Sequence, residues 1–212
     1  NHVDSRARDY PLVRIKYALL LLLAPLLAAS AWTEAQFFLN LKADVITSCC
    51  GSLFSEDSKT LVAEAAALEP LPAMFLFYGG MGLAIGAASF HWAYGERGRG
   101  GYAVAVTAAL AFAGAVAGIL SFISLYIYEH PHHHCPFCIL KPEYGHQGYW
   151  LYVPLFAATA AGLAVGALQP FRNVASLRAI VPAAAARLAG VAAIGYLLVA
   201  AIATYFVLHS NL

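Results

Sequence analysis

The sequence predicts an all-α integral membrane protein, a five-helix transmembrane bundle, and three observations carry that expectation. Of its 212 residues, 61% are hydrophobic and only 11% are charged, where a soluble domain carries about 25% charged residues. Five apolar runs each approach the roughly 20 residues that cross a 30 Å hydrocarbon core. The basic residues, finally, gather in alternate connecting segments. A formal net charge of +1, spread this thinly, offers no face for nucleic acid. Membrane lipid is the expected surrounding.

The runs cover about 17–32, 73–91, 102–128, 150–168 and 188–208, within one domain over 1–212. The first, "RIKYALLLLLAPLLAASA", has the basic start, apolar middle and small residues of a secretory leader. It is retained in the chain and is read as an anchored helix, with further residues expected ahead of Asn1. The loop over 33–72 is long enough for structure of its own. In "SEDSKTLVAEAAALEP", Ser55, Asp57 and Ser58 are N-cap candidates, good helix formers follow, and Pro70 is the expected stop. Leu61, Val62, Ala65 and Leu68 share a face, which predicts a short helix lying on the membrane surface. Gly82 with Gly86, Gly114 with Gly118, and Gly162 with Gly166 are small-residue pairs that let helices approach closely. Packing within the chain is their expected role. His91, Trp92, Trp32, Tyr149 and Trp150 sit where interfacial belts form. No Asp, Glu, Lys or Arg lies mid-span, which argues against an ion-coupled transporter.

Orientation follows from Lys and Arg. Arg6, Arg8, Arg14 and Lys16 precede the first run, Arg97 and Arg99 follow the second, and Arg172, Arg178 and Arg187 follow the fourth. That is nine of the twelve basic residues on one side, while the opposite loops carry eight of the eleven acidic ones. The expected topology puts the N-terminus in the cytoplasm and the C-terminus outside, in a plasma or inner membrane. All four cysteines and the loop histidines then fall on the non-cytoplasmic side, where disulfides persist.

The chemistry-bearing residues lie in the loops over 33–72 and 129–149. "HPHHHCPFC" closes with Cys135 and Cys138, a C-x-x-C dithiol spacing. A helix starting there would lower the first thiol's pKa, and His134 could stabilise a thiolate further. "ITSCCGSLF" holds Cys49 and Cys50; adjacent cysteines close only a strained, reducible ring, so each is expected to serve a different partner. Exchange through a mixed disulfide would let one pair hand electrons to the other. The plainer alternative for each pair is a stabilising disulfide. Tyr126 and Tyr128 end the third span near this loop and could line a quinone pocket, or simply belong to the aromatic belt.

The same residues admit a metal. Two of His130, His132, His133 and His134 with Cys135 and Cys138 could complete a tetrahedral copper or zinc set, with His146 a further candidate. Against it, consecutive histidines cannot all ligate one ion, and a solvated polar loop remains open. Haem attachment is excluded because Ile139, not His, follows Cys138.

This layout resembles the membrane thiol–quinone oxidoreductases, the vitamin K epoxide reductase and DsbB families. A cysteine pair lies between spans one and two, and a C-x-x-C between spans three and four. The resemblance implies a four-helix bundle with a quinone beside Cys135 and Cys138, a shuttle pair at Cys49 and Cys50, and a periplasmic thioredoxin-like partner. This chain differs in having Cys49 next to Cys50 and in placing Cys138 a dozen residues before Trp150. Two other functions stay open: a copper- or zinc-binding membrane protein, and a non-catalytic subunit packed against other membrane subunits.

Overall fold

The computed structural model describes residues 3–40, 68–95, 100–129 and 135–211. Helix α1 spans Val13–Leu39, α2 Pro70–Tyr94 and α3 Gly101–Gly118. A π-turn over Ile119–Ile123 joins α3 to the short α4, Ser124–Tyr128; α5 spans Gln147–Leu168 and α6 Ile180–His209. No strand occurs among the described residues. Among the described residues, five segments are long and apolar enough to cross a membrane: α1, α2, α3 through α4, α5 with its trailing turn, and α6. Each outruns its expected span, because hydropathy sees only the apolar middle while the helix continues into its polar ends. Arg14 and Lys16 sit in the first turn of α1, and Thr33 near its far end bonds the Ser30 carbonyl at 2.8 Å.

Two expectations about the first loop change or fall away. Pro70, the expected stop of the helix before it, is itself the first residue of α2, after Glu69 in extended backbone; a first-turn proline costs no hydrogen bond, since that N–H has no partner anyway. The predicted surface helix, with Ser55, Asp57, Ser58, Leu61, Val62 and Ala65, lies outside the described residues.

Among the described residues four of the five columns pack closely on one another, with α1 beside them. α2 packs on α3 and α6, and α5 packs on α3 and α6, closing a ring. Its axis is filled by Phe77, Met81, Phe122, Leu151, Leu155, Val165 and Val199 among many alanines, all essentially inaccessible. Glycine sets the approach. A Cβ on Gly162 would sit 2.6 Å from that of Ala108, one on Gly166 2.4 Å from Ala105, and one on Gly195 2.7 Å from Ala158. Gly114 likewise faces the Leu76 carbonyl at 2.8 Å. Gly82 and Gly86 depart from expectation: nothing lies within 4 Å of either, so that pair faces away from the bundle.

Helix α1 buries none of its residues. It is apolar all round and has no glycine, and lipid is as good a neighbour for leucine as another helix is, so nothing draws it inward. Among the described residues, contacts to the rest of the chain gather at its start. The Asp4 carboxylate accepts the Leu12 N–H at 2.8 Å, Ser176 donates to Asp9 at 2.9 Å, and Ala7 packs with Leu177 and Val181.

Buried polar groups tie the columns together. The Tyr196 hydroxyl on α6 lies 3.1 Å from both the Ala108 carbonyl of α3 and the Thr159 hydroxyl of α5. His91, expected at the interface, is only 3% exposed. Its ring lies so close to Gly95 that a Cβ there would be 2.9 Å from three of its atoms, so the side chain folds under the end of α2.

Candidate functional site

The "CPFC" loop connects α4 to α5. α4 ends at Tyr128 because Glu129 takes the left-handed conformation, φ 51°. The Glu129 carboxylate then accepts from the Asn211 side chain at 2.7 Å, tying this end of α4 to the residues after α6. After Cys135 the chain makes two short 3₁₀ turns, Cys138–Leu140 and Pro142–Tyr144. Gly145 and His146, at φ 60° and 56°, turn it into α5. An expected feature is therefore different. No helix starts at the cysteines, and a three-residue turn does not supply the dipole that would lower a thiol pKa.

Two tyrosines from different helices grip this loop by its backbone. The Tyr128 hydroxyl donates to the Cys135 carbonyl. The Tyr152 hydroxyl, from α5, donates to the next carbonyl, that of Pro136, at 2.7 Å. Cys135 and Cys138 are 1% and 6% exposed and pack with Tyr128 and Ile139, flanked by Tyr144 and Tyr152. The Tyr128 and Tyr144 rings meet edge to face at 4.6 Å. Phe137, between the cysteines, points the other way and is 61% exposed.

Beneath Phe137 lies an apolar cavity of about 720 Å³. Pro136, Phe137 and Leu140 form its loop side, Val116, Ile119 and Leu120 its wall from α3 and the π-turn, and Tyr149, Tyr152, Val153 and Phe156 its wall from α5. Both residues enclosed by the C-x-x-C thus line the cavity, and Tyr152 belongs at once to the cavity and to the shell around the cysteines. The tyrosines lining this cavity are Tyr149 and Tyr152, and Tyr126 and Tyr128 lie outside its lining. Tyr126 faces Phe122, with ring centroids 6.5 Å apart, and Tyr128 turns toward Cys135. The signal for the α5 wall was present in "GYWLYVPLF", where 149, 152, 153 and 156 recur at helical spacing and share one face.

Of the other sequence-predicted residues, Cys49, Cys50, His130, His132, His133 and His134 lie outside the described residues. His146 is described, and its Nδ1 lies 2.8 Å from the Leu140 carbonyl, a bond that shapes the loop. Among the described residues no group of three or more His, Cys, Asp or Glu is placed to hold a metal.

The described residues define an all-helical architecture with five helices long and apolar enough to cross a membrane and a buried C-x-x-C over an apolar cavity. Comparison with known proteins finds no matching family, no matching curated protein and no matching solved structure.

Proposed function

We propose that the chain is a membrane thiol–disulfide redox protein, in which Cys135 and Cys138 exchange electrons with a quinone held in the cavity beneath them. The observation that carries this reading is the shared wall: Pro136 and Phe137, the residues between the two cysteines, line the cavity. Its almost wholly apolar surface and its volume suit a ring with an alkyl tail, within the range of small-molecule sites. Tyr128 and Tyr152 would hold the dithiol still against it. In the forward direction the two thiols lose two electrons and two protons and join in one S–S bond. A quinone bound in the cavity would supply the acceptor, taking up both electrons and both protons as it becomes a quinol.

Cys49 and Cys50 would be the shuttle pair that reduces or reoxidises this dithiol through a mixed disulfide. A thioredoxin-like partner would meet that pair, since Cys135 and Cys138 are too buried for a protein to reach directly. In the orientation we propose, the dithiol faces the non-cytoplasmic side. Arg172 and Arg178 lie beyond the other end of α5, as the distribution of positive charge requires.

The test is direct. Reduced protein in lipid nanodiscs is mixed with a short-chain ubiquinone, and quinone absorbance is followed. Quinone reduction matched by loss of two titratable thiols supports the proposal, with Cys138→Ser abolishing both. Unchanged quinone beside fully titratable thiols sinks it. The relay is tested separately: Cys138→Ser should accumulate a disulfide between Cys135 and Cys49 or Cys50, visible by mass spectrometry of unreduced peptides.

A further inference from the structure

We propose that Ser121 and Ser124 form a buried water-binding site inside the bundle, one that fixes the π-turn behind the cavity. Ser121 and Ser124 are 1% and 0% exposed. Their hydroxyls are the only fully buried side-chain polar atoms among the described residues that lack a hydrogen-bond partner. A hydroxyl left unmatched in a dry interior is costly, and native structures seldom leave one so.

The contrast with the bundle's threonines shows why these two are orphaned. Thr107, Thr159 and Thr204 each donate to the carbonyl four residues back, at 2.9, 2.8 and 2.7 Å. Serine in a regular helix has the same option. Ser121 lies within the π-turn and Ser124 directly after it, where the backbone register has slipped: the Ser124 N–H bonds the Ile119 carbonyl, five residues back. In this register neither hydroxyl is bonded to a carbonyl of its own helix. Single π-turns of this kind recur at functional sites.

Water is the ligand this geometry fits. Each serine hydroxyl can donate one hydrogen bond and accept two, so an ordered water within about 2.8 Å of each would satisfy the pair. A buried water makes about three hydrogen bonds to groups that otherwise have none, and these two hydroxyls are such groups. The site connects to the rest of the molecule on both sides. Ile119 and Leu120 of the same turn line the cavity, while Tyr128, one helical turn past Ser124, holds the Cys135 carbonyl. A bound water would therefore fix the cavity wall and the tyrosine together. This inference does not depend on the thiol chemistry.

A density map of the full-length protein in nanodiscs, at a resolution where ordered water is visible, tests it. Density bridging the two hydroxyls is the expected result. Hydroxyls rotated onto the Ala117 and Leu120 carbonyls, with no density between them, would overturn the site. The Ser121→Ala/Ser124→Ala double variant gives a second, independent measurement. If water solvates these groups, its Tm falls by about 2–4 °C; if they are merely orphaned, removing them leaves Tm unchanged or raises it, and the proposal fails. Should the variant not fold, the wild-type map decides alone.

Discussion

The hydroxyl of Tyr152 donates a 2.7 Å hydrogen bond to the carbonyl of Pro136, so a residue of the cavity wall holds the centre of the C-x-x-C loop. Tyr152→Phe keeps the ring and removes that bond. A neutral hydrogen bond contributes about 0.5–1.5 kcal/mol net, which in local opening is a factor of roughly 2–10. Alkylation of Cys135 and Cys138 in the reduced protein should accelerate by that factor, while the unfolding midpoint moves little. Unchanged alkylation would mean that the Tyr128 bond and the packing of Ile139 suffice to hold the loop.

The glycine contacts predict an asymmetry between positions that look alike in the sequence. Gly162→Val pushes new carbon against Ala108, where the first added atom would already sit at 2.6 Å. Overpacking of a tight interior costs about 1–3 kcal/mol, occasionally more, and here two helix backbones would have to part. Gly82→Val meets open space and should leave the yield of monodisperse protein in detergent unchanged. Size-exclusion profiles of the two variants, side by side, check this. Equal loss from both would show that Gly82 packs against something after all.

How the chain divides between lipid and core was only half legible in the sequence. Run length and hydropathy located all five membrane-length helices, because a helix that faces lipid must be apolar along its whole length. They could not show which four pack, since α1 and α6 are both long and apolar enough to cross a membrane. What separates them is glycine: Gly190 and Gly195 in α6 meet Trp92 and Ala158, whereas α1 has none. The C-x-x-C was visible from its spacing. The cavity was not, because Tyr149 and Tyr152 look like belt residues until Pro136 and Phe137 are folded over them. The π-turn had no signature at all, since its register slip comes from packing rather than composition.

The separate position of α1 has a measurable consequence. Leu21 and Leu27 are 76% and 68% exposed, so Leu21→Ala and Leu27→Ala should each change unfolding free energy by no more than about 0.5 kcal/mol. Leu155, 1% exposed at the bundle axis, should cost about 2–5 kcal/mol when truncated to alanine. Denaturant titration in detergent micelles gives all three. A loss at Leu27 comparable with that at Leu155 would place α1 inside a packed assembly.

The orientation we propose follows from charge and can be read with one introduced cysteine. Asn173 is exposed beyond the last turn of α5, at the end of the bundle opposite the "CPFC" loop. Asn173→Cys should resist a membrane-impermeant maleimide in intact cells and react once the membrane is opened. Reaction in intact cells would invert the topology and bring the dithiol to the cytoplasmic side.

The cavity itself yields the prediction that bears most directly on function. Val153 lies on the α5 wall between Tyr149 and Phe156, with 62% of its surface accessible. It touches neither cysteine's backbone bond, and it faces the space a ring would fill. Val153→Trp adds a large aromatic side chain into about 720 Å³ without introducing a charge, and its indole N–H is the one polar atom it brings. Because the position is open rather than close-packed, the fold should tolerate it, unlike Gly162→Val. If a quinone occupies this space, the variant should raise the quinone concentration for half-maximal dithiol oxidation at least tenfold, equivalent to about 1.4 kcal/mol of lost binding. Oxidation of the same dithiol by a small water-soluble disulfide should stay within twofold of wild type, which separates a blocked cavity from a damaged loop. Equal loss with both oxidants would mean the tryptophan has displaced Pro136 and Phe137. Unchanged quinone dependence would move the quinone site out of this cavity.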